Sequence, residues 1–200
     1  MEHHVHLDGH GFRLEPLALS HAPALAGIVD EAMWAGMSGP LPVGIPGMVE
    51  YVLRNQAAAD VVAFAVLRTD TGEVVGSTAF RDHSADDRRV EIGRTFYARS
   101  TWGTLVNPVA KWLMLQHAFE VWDVHRVGFR VDVRNTRSLA AMRRLGAYEE
   151  GVMRAHRTAW DGSRADSVCF SILAPEWPGV ELGLLGRILG TNVLAMPDIA

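Results

Sequence analysis

Cysteine is almost missing from this chain: Cys169 is the only one in 200 residues, so neither an internal disulfide nor a multi-cysteine zinc site can form. It lies in the alternating run 167–173, where a free cysteine is expected to act as a small buried strand residue. No apolar run reaches the ~18 residues that a membrane span requires. The start MEHHVHLDGH is His-rich where an export signal would be basic and then apolar, so the expectation is a cytoplasmic protein with no membrane partner. There is no excess of positive charge either. With 19 Lys+Arg against 23 Asp+Glu the net charge is −4, which gives no electrostatic reason to expect nucleic acid as a partner. Gly-x-x-x-x-Gly-Lys-Ser/Thr does not occur, which argues against a P-loop nucleotidase. The Gly-x-Ser-x-Gly turn of serine hydrolases and the His-Glu-x-x-His of zinc peptidases are also missing.

What is present centres on residues 90–120. Val90, Ile92 and Phe96 alternate with Glu91, Gly93, Thr95 and Tyr97, the signature of a strand with one half-polar face. A loop with Trp102, Gly103, Thr104, Leu105 and Val106 follows. Asn107 is a suitable N-cap and Pro108 suits a first helical turn, so a helix is predicted from Asn107. Val109, Trp112, Leu113, Leu115, Phe119 and Trp122 cover most of its circumference and predict burial against a sheet. Strand, small-residue loop and helix N-terminus together form a place where backbone N–H groups and the helix dipole can hold phosphate oxygens.

Around that centre the chain reads as alternating short elements. Phe12 to Glu15 continue a strand stopped by Pro16, and Ser20 caps a predicted helix over 21–33. The Gly/Pro-dense stretch AGMSGPLPVGIPG presents Trp34, Met37 and Leu41 on an irregular connection, and a short helix is predicted over 46–58. Runs 61–68 and 74–81 flank Asp70-Thr71-Gly72-Glu73, a hairpin signal. A strand over 126–134 leads to Asn135, the cap of a helix over 136–145 that Gly146 stops. Strands over 147–159 and 164–173 flank Asp161-Gly162, and a Leu-rich helix closes the body. The order predicts an α+β domain on one mixed sheet, with residues 1–178 as one domain. The segment 179–200 would pack on that domain or on a partner, such as a second copy in a homodimer. His3, His4, His6 and His10 read as a polar strand face, because no carboxylate or cysteine completes a metal-ligand spacing.

Several short motifs stand in a fixed order: Glu91-Ile92-Gly93; Trp102-Gly103-Thr104 before a helix carrying His117-Ala118-Phe119-Glu120; His125-Arg126-Val127; Asn135-x-x-Ser138; Leu145-Gly146-Ala147; Glu150-Gly151; and Arg154. The series resembles the Gcn5-related N-acetyltransferases (GNAT), and within them the branch of ribosomal-protein amino-terminal acetyltransferases and their small-molecule relatives. The resemblance implies a mostly antiparallel mixed sheet of about seven strands flanked by about four helices. It also implies acetyl-CoA, or another short acyl-CoA, as co-substrate without a metal, and direct attack by a primary amine of a peptide N-terminus or small molecule. The pyrophosphate would sit on Trp102, Gly103, Thr104, Leu105, Val106 and Asn107. The loop departs from the family pattern: Leu105 replaces the second small residue, and Ser100 the leading basic one, with Arg99 one place early.

In such enzymes Glu91 would take a proton from the acceptor ammonium, which matters because an amine of pKa near ~8–10 is mostly protonated at neutral pH. Its structural alternative is an ion pair with Arg94 or Arg130. Asn135 would touch the pantetheine arm as well as cap its helix. Where many members have a Tyr that protonates the leaving thiolate, this chain has Met142, which cannot donate; Ser138 is the remaining donor and would also line the cofactor site. Trp34, Met37, Phe80 and Trp160 are aromatic or soft groups that could line an acceptor pocket, with core packing as the alternative. Lys111 and Arg137 could meet CoA phosphates or simply be solvated. A non-catalytic acyl-CoA sensor or scaffold of the same fold is the competing function.

Overall fold

The computed structural model describes residues 3–37 and 39–190. Within these residues eight strands form one sheet: β1 (Leu7–Gly9), β2 (Phe12–Pro16), β3 (Val62–Arg68), β4 (Val74–Ser84), β5 (Arg89–Tyr97), β6 (Arg126–Asp132), β7 (Tyr148–Thr158) and β8 (Arg164–Leu173), in the order β1-β2-β3-β4-β5-β6-β8-β7. Every neighbouring pair is antiparallel except β5 with β6. That parallel pair is held by only three partners, Arg89 with Arg126, Val90 with Val127 and Glu91 with Gly128. Beyond Glu91 the two strands pair no further, and the sheet is open there.

Among the described residues, six α-helices cover the sheet: α1 (Ala22–Ile28), α2 (Glu31–Trp34) and α3 (Gly44–Ala57) on one face, and α4 (Val106–Gln116), α5 (Thr136–Leu145) and α6 (Trp177–Leu189) on the other. Strand alternation divides the core accordingly. Phe64 and Val66 join Val109, Leu113, Leu139 and Leu184, while Ala63 and Ala65 join Leu25, Trp34, Met48 and Val52. Among the described residues the count is eight strands and six helices where about seven and about four were expected: the N-terminal hairpin adds a strand, the first predicted helix is broken in two, and the C-terminal helix is the sixth.

That break has a local cause. Val29 is extended at ψ 140, and Asp30 is an N-cap whose carboxylate accepts from the Met33 N–H at 2.8 Å, so α2 starts afresh where 21–33 was expected to be continuous. The same carboxylate receives Arg99 at 2.6 and 2.8 Å, which ties α2 to the segment before α4 and holds the Asp30 pKa down to about 2.

β5 carries the larger correction. Its register against β4 shifts between Ser77 and Ala79, with Arg94 at φ +51 as the extra residue of a β-bulge. A one-residue slip exchanges the faces. Val90 and Ile92 lie in the α4-side core but Phe96 lies in the α3-side core, and Tyr97 joins Val90 and Ile92, the reverse of simple alternation. Helix α4 begins at Val106 with Leu105 in the cap position, so Asn107 is a helical residue and not the N-cap. The Thr104 hydroxyl, 3.5 Å from the Val106 N–H, stands where a cap would. Pro108 still loses no bond, because the first amides of a helix have no intrahelical partner. The helix runs on into one π-helical turn, His117–Val121.

Candidate active site

The gap between β5 and β6 opens into a cavity of about 470 Å³ that reaches from Glu91 to the loop before α4. One wall is β5 from Glu91 to Tyr97; the other is β6 with the start of α5, and α4 contributes Val106, Asn107 and Lys111.

At the loop, Gly103 takes φ +77, a conformation that disfavours residues with a Cβ. Among the described residues, the Gly103 and Leu105 N–H groups have no hydrogen-bond partner, and α4 opens behind them. Trp102 is fixed by donating Nε1–H to the Tyr97 carbonyl at 2.9 Å, and the guanidiniums of Arg99 and Arg137 lie 4.9 and 3.4 Å from its ring centre. Trp102, Gly103, Thr104, Val106 and Asn107 all line the cavity; Leu105 does not, since its side chain is exposed. Its amide, not its side chain, is what the loop offers to an anion. Opposite, Asn135 caps α5 by accepting the Ser138 N–H at 3.0 Å. Asn135 and Ser138 both face the cavity, and the Ser138 hydroxyl has no protein partner among the described residues.

Glu91 closes the other end. Its carboxylate accepts from Arg81 Nε at 3.2 Å and Arg130 Nε at 2.8 Å, while Asp82 shares both guanidiniums. The expected pairing with Arg130 is present; Arg94 instead donates to Asn55 Oδ1 at 2.7 Å. Burial pushes the Glu91 carboxyl above its ordinary pKa and Asp82 adds to this, against the pull of Arg81. Gly128, the partner of Glu91 on β6, leaves room for it, since a Cβ there would stand 3.2 Å from Glu91 Cγ. Arg130 also donates toward His156 Nε2 at 3.3 Å, which makes that nitrogen the acceptor and assigns the ring proton to Nδ1, 3.0 Å from Ser167 Oγ.

A clamp invisible in the sequence forms the rim. Arg157 donates to the carbonyls of Met37 at 2.9 Å and Gly36 at 3.3 Å, and to Asp132 at 2.7 Å. The Asp132 side chain is fully buried. Desolvation pushes its pKa up, but its bonds to Arg134 and the charge of Arg157 outweigh that and hold it below the ordinary value. Gly36 lies so close to Asn135 that a Cβ would stand 2.0 Å from Nδ2. Met37 lines the cavity.

Trp34 and Phe80 do not. At 1% and 0% exposure they are core residues. Trp34 packs 5.4 Å from Phe96 and donates to the Gly39 carbonyl at 3.1 Å, and Phe80 packs 4.6 Å from Trp122. Trp160 packs on the α3-side core and lies outside the lining. Cys169 is half-buried in β8 with its pKa raised by burial. His3 donates Nε2–H to the Ala63 carbonyl at 2.8 Å, and no cluster of three metal-ligating groups occurs among the described residues. Nor is any described helix long and apolar enough to cross a membrane.

Comparison with known proteins agrees with this geometry. Residues 12–148 match the family described as the acetyltransferase (GNAT) domain. The chain is 35% identical to a crystallised candidate acetyltransferase from T. thermophilus, with a TM-score of 0.86 over 94% of this chain and 98% of that one. An uncharacterized N-acetyltransferase, p20 of Bacillus licheniformis, is 28% identical over 116 residues, which span 58% of this chain and 64% of that relative. RimJ of Mycobacterium smegmatis, crystallised with CoA-disulfide, shares the fold at 23% identity, with a TM-score of 0.76 over 92% of this chain and 93% of that one.

Proposed function

This chain belongs to the GNAT acetyltransferase family, and on that premise we propose that it transfers an acyl group from acyl-CoA, acetyl-CoA in the simplest case, to a primary amine in a ternary complex. Residues 1–178 would form the acyl-transfer unit. The observation that carries this reading is the splayed β5–β6 gap, which puts Glu91, the Ser138 hydroxyl, unpartnered among the described residues, and Gly103 with its open amide on one cavity. The loop amides and α4 would hold the CoA pyrophosphate. Asn135 would orient the pantetheine arm. The amine nitrogen attacks the thioester carbonyl, a C–N bond forms and the C–S bond breaks. Glu91, its carboxyl already biased toward protonation by burial, accepts the ammonium proton directly or through water. Ser138 supplies a proton to the departing thiolate, because Met142, buried at 6% exposure, has none to give. The fold shared with RimJ and the motif order favour a protein N-terminus or a small-molecule amine as acceptor, the ribosomal-protein type of reaction.

The test is a thiol-release assay with acetyl-CoA and a panel of amines and N-terminal peptides, beside calorimetry with CoA. Amine-dependent release of thiol is expected, together with CoA binding that weakens at least tenfold, about 1.4 kcal/mol, in Gly103→Val. CoA binding without turnover by any amine would instead mark a sensor or scaffold of the same fold. Unchanged CoA affinity in folded Gly103→Val would move the pyrophosphate elsewhere.

A further inference from the structure

Of the 19 Lys+Arg residues, 18 are Arg and a single one, Lys111, is Lys. Four guanidiniums around the cavity, those of Arg81, Arg130, Arg157 and Arg137, sit where carboxylates, carbonyls or a ring face answer them. The one ammonium is placed differently. Lys111 lies on α4, five residues after Val106 and so roughly 7.5 Å along the axis at ~1.5 Å per residue. It is 4% exposed and lines the cavity. Among the described residues its sole hydrogen bond runs to Thr95 Oγ1 at 3.3 Å. That hydroxyl is also engaged with Thr78 Oγ1 at 2.8 Å and the Gly93 carbonyl at 3.2 Å. Two of the three ammonium donors thus have no answer, and no carboxylate among the described residues pairs with it.

A cation held this way is costly, since burying a charge without a partner is among the more destabilising arrangements in a protein. Desolvation alone lowers the Lys111 pKa to about 8. Methionine or leucine would fill the same volume without that cost, so the charge is matched to something outside the chain. The CoA phosphates are a poor match. They belong at the loop amides, where Arg137 and Arg99 already lie, whereas Lys111 points past them to Thr95, next to the bulge at Arg94. On the acyl-transfer reading above, that is the thioester end of the cavity.

We infer that the preferred donor is an acyl-CoA whose acyl chain ends in a carboxylate, of the malonyl, succinyl or glutaryl class, and that Lys111 with Thr95 binds that carboxylate. This rests on the acyl-transfer reading and deepens it. The compact ammonium suits the task, because it can meet one carboxylate in a space where a planar guanidinium needs a wider fork of acceptors. The chemistry at the thioester is unchanged: the amine nitrogen bonds to the carbonyl carbon, the thiolate leaves and takes a proton, and the distal carboxylate is a spectator. The product is an amide with a free carboxylate, so a cationic acceptor becomes an anion.

Calorimetry of CoA, acetyl-CoA, butyryl-CoA and succinyl-CoA on wild type and Lys111→Met tests the inference, with butyryl as the uncharged chain of matching length. Wild type is expected to bind succinyl-CoA at least tenfold more tightly than butyryl-CoA, and Lys111→Met to lose or invert that ratio while binding CoA alike. Wild type alone decides the matter if the variant does not fold. Equal or tighter binding of butyryl-CoA or acetyl-CoA by wild type overturns the inference and leaves acyl transfer standing; failure of CoA and all three acyl-CoAs to bind overturns both. Because Lys111 is the only lysine, peptide mapping by mass spectrometry after incubation with acetyl-CoA separates its side chain from the N-terminal amine and from the Cys169 thiol. Acetylation of Lys111 would show a nucleophile in place of a carboxylate receptor and would also overturn the inference.

Discussion

Two charged groups that line the cavity, Glu91 and Lys111, are handled in opposite ways. At Glu91 a carboxylate is enclosed by two guanidiniums, and Asp82 balances the second, so the cluster is complete without a ligand. At Lys111 an ammonium has one hydroxyl and, among the described residues, no counter-charge. The difference separates positioning from recruitment. A self-satisfied cluster can hold its geometry between turnovers, whereas an unanswered charge lowers the stability of the empty protein and gains when an anion arrives.

Substitutions at these two groups should therefore differ in kind. The largest effect is expected from Glu91→Gln, which leaves Arg81 and Arg130 around a neutral amide and removes the proton acceptor. Turnover should fall by ~10²–10⁴-fold where the acceptor is an ammonium, as read in steady-state thiol release. Ser138→Ala should lower kcat by up to ~10²-fold at every pH with CoA affinity unchanged, because thiolate expulsion is felt only in the chemical step. At Lys111 the expected sign is a gain in stability. The folded pKa of Lys111, about 8, lies below the ordinary 10.5, so below pH 8 the folded state bears the full cost of the charge. Between those values the unfolded chain binds the extra proton and stability rises with pH. Lys111→Met should thus be more stable than wild type by roughly 3 kcal/mol at pH 7, with the advantage fading to nothing by pH 10.5, as followed by denaturant melts across that range. A smaller effect is expected at the rim. Gly36→Ala forces the Asn135 side chain to move, since its Nδ2 would lie 2.0 Å from the new Cβ, and CoA affinity should drop by several-fold, about 1 kcal/mol.

Much of this frame was legible in the sequence because it rests on local chemistry. Asn135 and Gly146 mark α5 by an Asx cap and a left-handed stop, and both are found there. The hairpin at Asp70-Thr71-Gly72-Glu73 and the strand before Asp132 follow from turn residues and alternation. What was not legible depends on partners distant in the chain. The bulge at Arg94 exists only against β4, and without it Phe96 is assigned to the wrong core. Arg157 reaches Met37 across 120 positions, so nothing near either residue announces the clamp. Trp34 and Phe80 could be read as pocket or as core residues, because aromatic side chains serve both, and only packing assigns them to the core. Lys111 offered no sequence signal of burial beyond its place on an otherwise apolar helix.

The measurement closest to the heart of this mechanism is the pH–rate profile of acetyl-CoA-dependent amine acylation for wild type and Glu91→Gln, taken with the chemical step limiting. If Glu91 takes the ammonium proton, the deficit of Glu91→Gln is largest at low pH and shrinks above the pKa of the amine, where the free base no longer needs an acceptor. A deficit that is constant across pH and matched by weaker amine binding would make Glu91 an anchor for the positive charge of the substrate and contradict its role in proton transfer.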